Sequence, residues 1–219
     1  MFRRDVTVWV SVVVTLMVLN GCGILSSDSD SGREPLGGDP SPMGAVGHEF
    51  GVVTPNGVSG ENVVVVANED GASTIRYTGT VENPVMLELL GAMPDVEVNG
   101  NQISCERTYR ITTEGFQNVY EDGYLTFMKY DADEGDTYSM ERNGRELKRV
   151  VTKVSKEDEY QWGFFLIKTV HVEETGRGLP GVSKVEYIGN HRFGMVGVKL
   201  HCEDGSNQTL TIIAQAEND

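Results

Sequence analysis

The sequence predicts an all-β fold, an antiparallel meander forming a barrel or a two-sheet sandwich with at most one short helix. Three observations carry that expectation. Turn dipeptides recur along the chain, at Asp70-Gly71, Asn99-Gly100, Asp122-Gly123, Asn143-Gly144, Gly189-Asn190 and Asp204-Gly205, and such pairs supply the positive φ that tight hairpins need. The runs between them are rich in β-branched and aromatic residues, which favour extended backbone. Sustained helical periodicity is confined to one short stretch, so the crossover helices that a parallel sheet requires are missing.

Taken in order, strands are expected over residues 63–67, 73–78, 102–112, 124–130, 137–142, 146–154, 162–173, 184–188, 193–202 and 208–214. The stretch 84–90 reads two ways. Asn83 can cap, Pro84 can open and Gly91 can close a helix, yet Val85-Met86-Leu87 serves a strand equally well. Residues 50–219 are expected to form one all-β domain, a comfortable size for a single core. Ahead of it, residues 22–49 are rich in Ser, Gly, Asp and Pro with little to bury, the composition of a disordered tether.

The first 21 residues read differently. Arg3 and Arg4 precede a charge-free apolar run over residues 6–19, which ends in Leu19-Asn20-Gly21-Cys22. As a helix that run is about 21 Å long, short of a hydrocarbon core of about 30 Å. A basic stretch followed by a short apolar one is the pattern of a secretory signal. The tetrapeptide Leu19-Asn20-Gly21-Cys22 resembles the lipobox of bacterial lipoproteins. The resemblance implies cleavage before Cys22, a diacylglycerol on its thiol and a further acyl chain, such as palmitate, on its freed amine. The expected partner of residue 22 is therefore a membrane, held through N-terminal lipid. By the same resemblance Gly23, in place of an aspartate, implies an outer-membrane destination in the cell envelope.

Composition narrows the function. With 18 basic and 33 acidic side chains the net charge is −15, a field that repels nucleic acids and anionic lipid surfaces, so no nucleic-acid partner is expected. If Cys22 is acylated, Cys105 and Cys202 remain as an even pair in an oxidising compartment. Strand alternation turns Cys105 to the face of Ile103, Tyr109 and Ile111, and Cys202 to that of Val196, Val198 and Leu200. A disulfide between Cys105 and Cys202 is the expectation. Two buried thiols that never meet are the alternative.

Motifs for chemistry are sparse. Neither a Gly-x-Ser-x-Gly elbow nor a phosphate-binding Gly-x-x-x-x-Gly-Lys nor a His-Glu-x-x-His is present. Neighbouring His201 and Cys202 point to opposite faces of a strand, so no metal or cofactor is expected and the histidines read as surface residues. The acidic run at residues 131–136 departs from an EF-hand loop at its sixth and twelfth positions. Arg142, Arg145, Lys148, Arg149, Lys153 and Lys156 form a basic stripe that reads as cross-strand pairing with acids.

Aromatic residues Tyr109, Tyr124, Phe127, Trp162 and Phe164 are the candidates to line a cavity in a barrel, although filling a core is the commoner use of such residues. Gly135-Asp136-Thr137-Tyr138, the strand over residues 148–154, Trp162-Gly163-Phe164-Phe165 and the stretch from Phe193 to Lys199 resemble a pattern in uncharacterised all-β bacterial envelope lipoproteins. That second resemblance implies an antiparallel sheet and no activity. The leading expectation is a lipid-anchored, non-enzymatic envelope protein with a binding or structural role and an envelope protein or lipid as partner. A carrier of lipid or a small apolar ligand in a barrel cavity is one alternative, and a hydrolase with a dispersed site is another.

Overall fold

The turn chemistry is visible in the backbone of the computed structural model, which describes residues 33–53, 58–82, 84–91, 95–121, 123–142, 144–177 and 181–214. The leader and Cys22 lie outside these residues. Asp70 and Gly71 both adopt positive φ, 51° and 80°, as a two-residue type I′ hairpin demands. Gly100, Gly123, Gly144 and Gly205 are likewise left-handed.

The strands are β1 (Glu49–Val53), β2 (Val58–Glu69), β3 (Ala72–Val81), β4 (Val96–Asn99), β5 (Gln102–Ile111), β6 (Gly115–Tyr120), β7 (Gly123–Lys129), β8 (Thr137–Arg142) and β9 (Arg145–Val154). They continue with β10 (Tyr160–Trp162), β11 (Phe165–Ile167), β12 (Val170–Thr175), β13 (Val182–Asn190), β14 (Gly194–Cys202) and β15 (Asn207–Ala214). The ambiguous stretch is a helix, α1 (Pro84–Gly91), which buries Leu90 beside β3 and β4.

Among the described residues, thirteen strands form one antiparallel sheet whose main path runs β7, β6, β5, β3, β2, β1, β15, β14, β13, β12, β9, β8, with β4 on the edge of β5. The sheet curls into a nearly closed barrel. First and last strands lie side by side, Phe50 facing Ala214 and Val53 facing Thr211. The free edges are β7 and β8, and the barrel is drawn together there by side chains. Arg149 on β9 reaches two carbonyls of β7, and Met128 of β7 packs against Gly189 of β13.

Several expectations need correction. The run 162–173 is three strands, because Gly163 takes φ 56° and folds β10 onto β11 as a separate two-stranded hairpin. Gly189-Asn190 is the end of a strand. The turn comes after it, where the Asn190 side chain accepts the backbone N–H groups of Arg192 and Phe193. β1, β4 and β6 are additional strands.

The packed chain also starts earlier than residue 50. Leu36 and Met43 are buried, and the Leu36 N–H donates to Gln117 while its carbonyl accepts from Arg110. A 3₁₀ turn at Pro42–Gly44 is pinned by Asn68 and Ser73, both of which donate to the Gly44 carbonyl at 2.8 and 2.9 Å. A Cβ at position 44 would lie 2.4 Å from the Ser73 hydroxyl, so only glycine fits. Two apolar side chains and a few hydrogen bonds suffice to dock a stretch whose composition otherwise matches a tether.

The disulfide is not formed. Both thiols are free and buried, and four strands separate β5 from β14 along the sheet. Cys105 packs in the barrel core, whereas Cys202 sits at the β14–β15 turn with its carbonyl accepting from Gly205. Burial pushes the Cys105 thiol up to about 11, so it stays protonated and a poor nucleophile.

Alternation holds on most strands, and one of the places where the register slips is informative. Between Ile188–Gly197 and Gly189–Met195 the register slips, leaving Val196 as the extra residue of a bulge. Met195 and Val198 keep to the barrel interior, but Val196 turns out into a second small core with Trp162, Ile167 and Ile188 beneath the β10–β11 hairpin.

Candidate functional site

Inward-facing residues of eight barrel strands leave a cavity of about 90 Å³ between them. Phe50 and Val52 come from β1, Val63 from β2, Ile75 and Tyr77 from β3, Tyr109 and Ile111 from β5, Phe116 from β6, Phe127 from β7, Met195 and Val198 from β14, and Leu210 and Ile212 from β15. Met43, delivered by the pinned 3₁₀ turn, covers one side. Among the described residues, no charged one lines the space. Its two hydroxyls, Tyr77 and Tyr109, bond to each other at 3.2 Å. Burial raises both phenols far above their usual range, so they remain neutral. Such a lining attracts an apolar group and offers nothing to polarise or attack it.

Phe127 separates the cavity from a buried ion cluster. Its ring stacks edge-on against Tyr187 at 4.8 Å and takes the Arg149 guanidinium over its face at 4.0 Å. Arg149, fully buried, donates to Glu174 at 2.7 Å, to the carbonyls of Leu125 and Thr126 at 3.2 and 2.8 Å, and to Asn118 at 3.1 Å. Glu174 is also paired with Arg177 and accepts from Tyr187 at 3.2 Å. Burial alone would raise the Glu174 carboxyl, but Arg177 and Arg149 outweigh it and hold the group down to about 2. Nearly every donor here has an acceptor, so this cluster fastens the barrel and leaves no vacancy for a ligand.

A second polar array lies on the outer face of β12, β13 and β14. Glu186 sits between two histidines, His171 Nδ1 at 2.7 Å and His201 Nε2 at 2.9 Å. These bonds, with His171 foremost, override burial and draw the Glu186 carboxyl down to about 2. The ligand atoms of Glu173, Glu186 and His201 lie within 4.8 Å of one another. The array carries its own cations, however: Lys184 binds Glu173 at 2.5 Å and Lys199 lies 3.9 Å from Glu186. Thr169 Oγ1, His171 Nε2 and Ser155 Oγ continue the chain at 3.0 and 3.2 Å. Thr169, His171 and Glu186 thus share the order of a nucleophile, base and orienting acid, but the Thr169 side chain is buried and shares its hydroxyl with Ser155.

Of the aromatic residues singled out in the sequence, Tyr109 and Phe127 line the cavity. Tyr124 is half-buried on β7 outside the lining. Trp162 is buried on the outer surface of the barrel, where it stacks on Phe193 at 4.5 Å and donates to the Ile212 carbonyl at 2.9 Å. Phe164 is fully exposed at the tip of its hairpin. Alternation misplaces the last two because a single continuous strand was assumed.

Arg149 and Glu174 were legible in principle. Arg149 alternates with Leu147 and Val151, and Glu174 with Val170 and Val172, so the period of a strand already turns both inward. His191 is exposed as expected, whereas His171 and His201 depart from expectation, being half-buried and paired across strands. No protein-family model, curated protein or solved structure matches the chain.

Proposed function

We propose that this chain is a lipid-anchored envelope protein, acylated at Cys22, whose barrel takes a small apolar ligand or the end of an acyl chain and performs no chemistry on it. The observation that carries this reading is an uncharged cavity bounded by five aromatic rings, with its only hydroxyls satisfied by each other. At about 90 Å³ the space is smaller than the roughly 150 Å³ apolar cavity that admits benzene. A whole lipid is therefore too large for the barrel as it stands, and the occupant is a chain end or a compact apolar molecule.

Native mass spectrometry of the protein taken from its own membrane tests the reading. Retained apolar mass supports it, provided that the mass is lost from Leu210→Trp, which fills the cavity. Retention by both proteins would place the ligand elsewhere and overturn the assignment. A hydrolase reading has one observation in its favour, the Thr169–His171–Glu186 chain. Ester hydrolysis abolished by Thr169→Val but not by Ser155→Ala would favour it over carriage.

A further inference from the structure

The hairpin of β10 and β11 carries the two most exposed large apolar residues of the described chain, Phe164 and Phe165, with Leu166 next to them. Phe164 is 100% exposed, Phe165 65% and Leu166 54%. They are consecutive, and they are held out by a stiff mount rather than a loose loop. Trp162, at the last rung before the turn, is clamped between the Phe193 ring and the Ile212 carbonyl, and Ile167 is buried against Ile188 and Val196. Gln161 closes the turn by donating to the Gly163 carbonyl at 2.6 Å. An apolar apex of this kind stays in water only at a cost, since each such side chain gains from burial.

The residues around the mount indicate what covers the apex. From Tyr160 to Lys168 the hairpin carries no acid, in a chain with 33 of them. Asn190 gathers basic residues beside it, its side chain donating to the Lys168 carbonyl and accepting from Arg192 N–H. The Arg192 guanidinium lies 5.5 Å over the same Phe193 ring that stacks on Trp162. Lys168, His191 and Arg192 are all exposed. The nearest acids in sequence, Glu157, Asp158 and Glu159, precede the hairpin; Glu159 stands level with Lys168 at its base, one step beyond the Tyr160–Ile167 pair, and is already paired with Lys153. Three consecutive side chains are also far less than the roughly 800 Å² per partner of a stable protein interface. The chain as a whole is acidic and repelled by an anionic surface, but the exposed Lys168 and Arg192 reverse the sign locally. A projecting apolar tip with such basic neighbours fits a bilayer, with side chains in the acyl boundary and cations among anionic headgroups.

We infer that Phe164, Phe165 and Leu166 form a membrane-inserting tip, and that Arg192 and Lys168 bind anionic headgroups around it. The tip fixes how the barrel sits on the membrane. Trp162 is bonded to the carbonyl of Ile212, whose side chain lines the cavity, so insertion brings the β15 wall of the cavity to the lipid surface. The inference rests on the lipid-anchored reading only in that the anchor brings a membrane within reach.

The test uses the full acylated chain reconstituted into vesicles of phosphatidylcholine and phosphatidylglycerol containing brominated acyl chains, which quench tryptophan on contact. Phe164→Trp is compared with Val98→Trp, a half-exposed position on β4 across the barrel, after subtraction of the native signal. Quenching roughly threefold stronger at position 164, and reduced by Lys168→Glu with Arg192→Glu, is expected. Equal quenching at the two positions overturns the inference. So does a dimer in sedimentation that Phe164→Ser dissolves, because the tip would then be covered by a second copy. Both positions are exposed, and an unchanged melting temperature in each variant keeps folding out of the comparison. Quenching without any retained apolar ligand would remove the carrier and leave the tip standing.

Discussion

The two halves of the barrel interior solve opposite problems. Around the cavity, Phe50, Val63, Ile75 and Leu210 line an apolar space, and imperfect packing costs only the dispersion contacts across a small gap. Across the seam, Arg149, Glu174 and Arg177 are surrounded by bonds, because an unpaired charge there would cost several kcal/mol. Empty volume is therefore found in the apolar half. Tolerance of a void and intolerance of a missing partner are the two ends of one energetic rule, and Phe127 marks the boundary between them.

The largest expected effect comes from breaking the seam. Arg149→Leu leaves the Leu125 and Thr126 carbonyls without their donor and Glu174 with one guanidinium instead of two. A loss of about 3 to 5 kcal/mol is expected in urea unfolding, and a loss below about 1 kcal/mol would show that the ladder, not the side chains, closes the barrel. Tyr187→Phe removes one hydroxyl that bonds Glu174 and Arg177, for which about 1 to 2 kcal/mol is expected in the same measurement.

Acid probes the contrast without mutation. In the folded chain the Arg177 and Arg149 guanidiniums hold the Glu174 carboxyl, and the His171 and His201 hydrogen bonds the Glu186 carboxyl, down to about 2, below their ordinary 4.5. Their contribution is thus complete above the ordinary value and is lost as the pH falls from 4.5 toward about 2. Stability measured over that window should decline, and the decline should be shallower in Glu186→Gln. An unchanged slope would mean that the pairing of Glu186 with His171 and His201 adds nothing. The smallest effect belongs to the cavity. Val63→Ile adds one methylene toward the void and should change stability by no more than about 1 kcal/mol, while weakening retention of apolar ligand.

The sequence made the sheet legible through its turns and alternation, and the cavity through Tyr109 and Phe127. What escaped it had local causes. Gly163 was one glycine inside an unbroken apolar run, so three short strands looked like one and Trp162 and Phe164 were assigned to an interior they never reach. The bulge at Val196 depends on pairing with β13, which no single strand reveals. Arg149 and Glu174 had the right period, but the ordinary prior that charges face water hid them. The Cys105 and Cys202 pairing failed because facing inward fixes an angle and leaves the distance around the barrel free.

Closure by a guanidinium rather than by a ladder has a kinetic consequence. Parting a pair of hydrogen-bonded strands breaks a row of amide bonds together, whereas parting β7 from β9 asks mainly that one planar cation let go of two carbonyls and an amide while it keeps its carboxylate on β12. The wall should yield there before it yields anywhere else. A bulky guest would enter sideways through that slit, and deuterium should reach the amides of β7 and β8 well before those of β14.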